Sequence, residues 1–369
     1  MRPLFVALLI LLLAGCSSDS DNGAATPVTD ARGTKVGADH TFAANSGLGW
    51  SDMTGEVVGP SSATPAAGSG LLAMSTTSGA TRVLDPNEPV LVTVSNNGHR
   101  AFYVVDLPPA QGDSVVLRRV LVHGSGAPAR IATCPQGCVM SYAVSADQNW
   151  VAWAAGAGDP GTPDTLRLID IATGAITVVG LGAPVALSPD GEYLLYQPNP
   201  SSHALRQWVR ANGNDAPYDN PVPVGAGPGA WRWDSNAPGG LKVAYIISPR
   251  DLIVARTELG GVPAMVYRAP DELDVIAPAW SPDGQRVAVW GSRLAANGNY
   301  TNHILFVADI TANSGVEVAY GSQVPGGVAL SGGGLKAAAL FGEQVFVSNV
   351  NGLSLVAAKR ATNARAAPR

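Results

Sequence analysis

The side chains best suited to chemistry in this chain are thinly spread. Five histidines stand at positions 40, 99, 123, 203 and 303, and no two fall within helical or strand spacing of each other. His203 and His303 differ from the rest: both are read between the second and third strands of the repeat units set out below, so they are predicted to emerge on one rim. As metal ligands they would need carboxylates from elsewhere in the chain. Acids gather in Asp271, Glu272 and Asp274, a group that attracts a cationic partner or is simply solvated. An enzymatic site would bring two or more of His203, His303, Asp271, Asp274 and Glu317 within about 5 Å of each other, with pKa values shifted by desolvation.

The recognisable catalytic strings do not survive inspection. Gly156-x-Gly158-x-x-Gly161 spells a dinucleotide fingerprint. That motif works by opening a helix whose N-terminus holds the pyrophosphate, and Pro160 and Pro163 make this stretch a loop. The sequence has no Gly-x-Ser-x-Gly elbow, no phosphate-binding Gly-Lys-Ser/Thr and no His-Glu-x-x-His. No catalytic set, metal site or cofactor is therefore predicted, and recognition is the chemistry expected. Its candidate surface is His203, Asp271, Glu272, Asp274 and His303 with Asn299 and Tyr300, which fall in a polar excursion from Gly291 to His303.

Two cysteines, Cys134 and Cys138, bracket Pro135-Gln136-Gly137. Three intervening residues rather than two argue against a redox Cys-x-x-Cys pair. The Pro-Gly turn favours a small disulfide loop in an oxidising compartment.

These residues are positioned by a repeat: an apolar strand, a tight turn of the type Ser-Pro-Asp-Gly, and a second apolar strand. The clearest copies run from Ala279 to Val289 and from Ala186 to Tyr196. Pro presets φ, Asp bonds its local backbone and Gly takes φ > 0, so each copy marks a hairpin. Aligning Ser95, Ser145, Ser188, Asp234, Ser281 and Ser331 gives separations of 50, 43, 46, 47 and 50 residues. A further pair of strands follows each copy, at roughly 116–133, 166–179, 205–224, 252–268, 303–320 and 344–357. Strands such as Val287 to Trp290 are apolar at consecutive positions, so both faces are buried. A lone four-stranded sheet cannot do this, and the repeats must pack radially into an all-β propeller of antiparallel four-stranded blades. Gly49-Trp50-Ser51-Asp52, 44 residues before Ser95, and the strands at 71–84 favour seven blades; six remain if 71–84 only closes the ring. Trp150, Trp231, Trp233 and Trp280 are placed on inner strands as packing between blades.

The copies Trp280-Ser281-Pro282-Asp283-Gly284 and Leu187-Ser188-Pro189-Asp190-Gly191, with Asp170-Ile171-Ala172-Thr173-Gly174, resemble the TolB-type, WD-repeat-like propeller repeats of exported bacterial proteins. The resemblance covers roughly residues 48–358 and is specific for the fold, while it says little about function. TolB itself carries an α/β domain before its propeller, where this chain has only about 30 polar residues.

The ends suggest where the protein works. Met1-Arg2-Pro3, ten apolar residues and Ala14-Gly15-Cys16 have the order of a secretory signal, too short to span a bilayer. Leu13-Ala14-Gly15-Cys16 resembles the lipobox of bacterial lipoproteins, which implies cleavage after residue 15 and lipidation of Cys16. Ser17 then favours the outer membrane. The domain order expected is a signal peptide (1–15), a flexible polar tether (16–47), the propeller (48–358) and a basic disordered tail (359–369). Formal net charge is −5, and the tail's four cations leave −9 for the remainder, which argues against nucleic acid. The expectation is a monomer, anchored by its lipid in the cell envelope, that binds an envelope protein or cell-wall component. The alternative is an enzyme with its site at the mouth of the central channel, of lyase, hydrolase or quinone-dependent dehydrogenase type.

Overall fold

A computed structural model describes residues 33–357, except 39–40, 44–46, 63–68, 112–113, 157–163, 200–202, 225, 227–228, 234–239, 249, 257–263, 270, 275–277, 295–299, 313, 322–324 and 351–355. The signal peptide, Cys16 and the basic tail lie outside the described residues. Seven antiparallel sheets follow one another along the chain: blades 1 to 6 span 49–85, 89–135, 139–181, 183–218, 230–268 and 272–321, and blade 7 begins at Pro325–Leu330. Blades 1 to 5 run strand by strand from the inside outward, as consecutive hairpins require. Among the described residues the helical content is one 3-10 turn, Pro109–Gln111.

Apolar clusters join every consecutive pair of blades. Tyr103 and Val105 of blade 2 pack with Val58 and Leu71 of blade 1, and Val289 and Phe306 of blade 6 pack with Ile246 and Leu252 of blade 5. The circle closes where Ala338 and Leu340 of blade 7 meet Trp50, Val57 and Leu72 of blade 1. The seven-bladed propeller follows, and the strands at 71–84 belong to a complete first blade: Leu71–Ser75 and Thr81–Asp85 are its third and fourth strands.

The closure differs from the sequence expectation at both ends of the chain. Gln344–Asn349 is the third strand of blade 7, and its fourth strand is Thr34–Val36, with Lys35 opposite Phe346. Residues 34–36 therefore belong to the folded domain and not to the tether, as does Phe42, which is fully buried and bridged to Ser61. Val356–Ala357 pairs with Ser314 and Gly315 on the outside of blade 6 instead of finishing blade 7. Three residues carry too little periodicity to announce a strand, and only the open edge of blade 7 gives them a partner. Trp150 opens the second strand of blade 3, not its inner strand; Trp231, Trp233 and Trp280 lie on inner strands as expected.

The repeated serine has a definite structural task. The Oγ atoms of Ser95, Ser145, Ser188, Ser281 and Ser331 each accept a hydrogen bond from the backbone N–H five residues on, at 2.8 to 3.0 Å. Ser145, Ser188 and Ser281 donate to the turn aspartates Asp147, Asp190 and Asp283. Neighbouring turns are also stitched together, through Asp147 N–H to Pro189 O and Asp283 N–H to Gly332 O. Gly191 shows why the turn needs glycine: φ is +69° and a Cβ would stand 2.3 Å from the Trp150 ring of the adjacent blade. Asp234, aligned with these serines, lies outside the described residues. The turns thus line one end of the ring and leave the other end to vary.

Candidate functional site

The end opposite the turns is built up most at blade 6. Its second and third strands, Arg286–Leu294 and Tyr300–Asp309, run 9 and 10 residues, against 5 and 5 for Tyr193–Gln197 and Leu205–Val209 of blade 4. The polar excursion expected from Gly291 to His303 is correspondingly shorter, because strand pairing continues to Leu294 and resumes at Tyr300. The incoming connection contributes as well: Glu272–Leu273 pairs with Ser292 and Gly291 before the inner strand Ala279–Trp280 begins.

Antiparallel register places Ser292 opposite both His303 and Glu272, so these three share a row. Asp274 is fixed by its own N–H, which donates to Trp290 O at 2.9 Å. The buried Ser292 hydroxyl donates to Asp274 Oδ1 and lies 3.0 Å from His303 Nδ1. Having given away its single hydrogen, Ser292 Oγ can only accept from the ring, which puts the proton on Nδ1 and leaves Nε2 of a neutral His303 with the lone pair. Asp274 Oδ2 is buried without a hydrogen bond, 3.5 Å from the same Nδ1. Serine and carboxylate thus meet one ring nitrogen. A nucleophile relay needs them on opposite ring nitrogens, so Ser292 orients His303 and is not a nucleophile.

The other face of the same strand carries a second group. Arg293 Nη2 contacts Asp271 at 3.2 Å and Glu317 at 3.4 Å. The hydrogen bond that Arg293 donates to Asp271 holds the guanidinium above its ordinary pKa, against the opposing effect of burial and with added support from the charge of both acids. Burial pushes the Tyr267 phenol well up, and the charges of Glu317 and Asp271 push it further. Asp271 and Glu317 therefore hold one guanidinium and Asp274 meets one histidine, with Glu272 in the same row as Ser292 and His303.

Of the residues singled out from sequence, the fold brings Asp271, Glu272, Asp274 and His303 together, along with Glu317. His203 is exposed on the corresponding connection of blade 4, where its carbonyl accepts from Asn220, and no hydrogen bond or ion pair among the described residues ties it to the cluster. Tyr300 begins the third strand of blade 6, and Asn299 lies outside the described residues. Ser292 and Arg293 were missed because the apolar run ends at Trp290, and a period of two gives no hint that pairing continues. A contact between His99 and His123, with ring centroids 4.9 Å apart, was also invisible at a separation of 24 residues; hairpin pairing across blade 2 creates it. Cys134 and Cys138 are disulfide-bonded, joining the outer strand of blade 2 to the start of blade 3. Gly156 ends a strand, and the rest of the Gly-x-Gly-x-x-Gly string to Gly161 lies outside the described residues. Among the described residues no group of three or more His, Cys, Asp or Glu is placed to hold a metal ion.

No protein-family model matches the sequence, and no curated protein matches it. Solved structures do match in shape. An oligogalacturonate lyase from Vibrio parahaemolyticus superposes with a TM-score of 0.64 over 89% of this chain and 96% of its own, at 10% identity. An oligogalacturonate lyase in complex with manganese gives 0.57 over 89% and 98%, at 12% identity. TolB from Acinetobacter baumannii gives 0.47 over 75% and 64%, at 11% identity. At these identities the likeness to the lyases establishes a shared architecture: this chain has the seven-bladed propeller fold.

Proposed function

We propose that this protein is a lipid-anchored binding module of the bacterial cell envelope, held by Cys16 in the outer membrane, that engages a cationic group of an envelope protein or cell-wall component with the rim of blade 6. The observation that carries the reading is the excess of carboxylates there: Asp271, Glu272, Asp274 and Glu317 against Arg293, on strands that extend past those of blade 4. A rigid sheet holding such an excess at its exposed end attracts and orients a positive partner without reorganising. The test places a photo-crosslinking residue at Asn302, beside the cluster, or at Asn212, in the exposed turn at the opposite end of blade 4. Crosslinks to a defined partner in intact cells should form from position 302, be absent from 212, and be lost in an Asp271→Asn/Asp274→Asn double variant. Equal crosslinking from both positions would refute the reading. Labelling with radioactive palmitate, abolished by Cys16→Ala, tests the anchor separately.

A second reading draws on His303. An imidazole oriented through Nδ1 by Ser292 and Asp274 has Nε2 left to exchange a proton with a substrate. Lyases cleave by proton abstraction and elimination, and the similar folds include oligogalacturonate lyases. The described residues do not supply a manganese donor set, so this reading rests on His303 alone as base. Cleavage of oligogalacturonate by the purified protein, abolished in His303→Ala, would establish it; the absence of cleavage would leave the binding role.

A further inference from the structure

We propose that the outer edge of blade 3 takes an extended peptide as a fifth strand, with an acidic side chain of that peptide on Arg167. This surface is separate from the blade 6 rim and does not depend on the function assigned to it.

Blades of a ring diverge outward, so the wedge between two of them needs progressively bulkier side chains. Between blades 5 and 6 the wedge is filled: Tyr267 of the outer strand meets Phe306 at a centroid distance of 5.8 Å. Between blades 2 and 3 the outer strand Ala129–Pro135 offers Ile131, Ala132, Thr133, Cys134 and Pro135, none of them aromatic, and a groove of about 470 Å³ remains. Its opposite wall is Trp153, Ala155, Arg167 and Ile176.

Three observations point to an occupant. Trp153 is only 5% exposed and lines the groove, yet its indole N–H is buried without an acceptor. A buried donor left unmet is rare and marks this wall as incompletely satisfied by the protein itself. Arg167 lies with its guanidinium carbon 5.0 Å from the Trp153 ring centroid and donates to Thr165 O at 3.3 Å. No carboxylate among the described residues pairs with it, in contrast to Arg293. Finally, the edge strand Ile176–Leu181 is apolar and bare: Ile176 is 55% and Val178 65% exposed. Val178 sits opposite Arg167, and Ile176 opposite Ile169, so both look toward the groove.

A strand adding to this edge satisfies its outward backbone groups, drops every second side chain over the groove and brings an acid to Arg167. The molecule already uses this mode on itself, since Val356–Ala357 pairs antiparallel with the outer strand of blade 6.

The test pans a library of random decapeptides on the full-length protein in detergent. Enrichment of sequences with apolar residues at alternate positions and one Asp or Glu is expected. A fluorescein-labelled copy of the strongest should bind about tenfold more weakly to Val178→Lys. Panning on Arg167→Glu should enrich Lys or Arg in place of the acid, a reversal that mere misfolding cannot produce. Trp153→Phe, which removes the N–H and part of the aromatic wall, should weaken binding about threefold or more. No enrichment of alternating sequences would overturn the proposal, as would peptides indifferent to both Val178→Lys and Arg167→Glu. Saturable binding of decanoate with no peptide binding would also overturn it, by making the groove a site for small amphiphilic carboxylates.

Discussion

The wedge between blades 5 and 6 and the wedge between blades 2 and 3 begin from the same geometry and end differently. In the first, Tyr267 reaches across to Phe306, and Gly315 on the neighbouring outer strand makes room for it: a Cβ there would lie 2.4 Å from the tyrosine ring. In the second, Ala132 and Cys134 leave the space open, and the aromatic and basic side chains on the far wall keep unused capacity to bond. The first wedge also ends in the ion-paired cluster of Asp271, Arg293 and Glu317, so its arginine is already paired with carboxylates. Filling a wedge stabilises the ring, while leaving one open reserves surface for a partner.

Four substitutions probe that contrast. The largest effect is expected at Phe306, which is almost fully buried in the filled wedge. Phe306→Ala should lose about 3–5 kcal/mol of stability in urea denaturation, since it removes the ring and leaves a cavity that rigid strands cannot collapse. A loss under 1 kcal/mol would show the filled wedge to be as slack as the open one.

The wedge between blades 1 and 2 offers a third solution, a polar knot. Buried Asp85 accepts from Tyr103 at 2.7 Å and from Arg118 at 2.9 Å. Burial raises the Asp85 pKa, but the hydrogen bonds from Tyr103, the Asn87 backbone, Arg118 and the Asn87 side chain outweigh it, and the net value falls below that of a free aspartate. Asp85→Asn should cost about 2–3 kcal/mol near neutral pH. Because the folded pKa is the lower one, this contribution is complete above the unfolded pKa of about 3.9 and disappears as pH falls through the folded value. The difference between wild type and variant should therefore be constant from about pH 5 to 7 and shrink below about pH 4; a gap that widens in acid would contradict the assignment.

The smallest effect is the sharpest comparison. Gly315→Ala in the filled wedge should cost about 1–2 kcal/mol, because the methyl group displaces Tyr267. Ala132→Leu in the open wedge enlarges a side chain that lines the groove and should cost less than Gly315→Ala, while blocking peptide binding at blade 3. Equal costs, read as shifts in urea midpoint, would mean that the two wedges are packed alike.

Much of this was legible in the sequence. The spacing of Ser95, Ser145, Ser188, Ser281 and Ser331 announced the blades because each serine must meet a backbone N–H five residues on, a local requirement repeated in every hairpin. Asp271, Asp274 and His303 were legible as rim residues because the order of strands within a repeat decides which connections share an end. Ser292 and Arg293 were not, since nothing local marks where pairing stops. The role of Trp153 was equally hidden: its missing acceptor is a property of what blade 2 fails to place opposite it.

The sequence by itself determined the hairpins, their spacing and the consecutive apolar runs that bury both faces of each sheet, since turn chemistry and strand patterning act over a few residues. The tertiary structure alone decided that Thr34–Val36 completes blade 7, that Ser292 ties His303 to Asp274, and that one wedge is full while another stays open. These depend on contacts between segments tens to hundreds of residues apart, where the partner that satisfies a backbone edge or fills a gap is fixed only once the ring has closed.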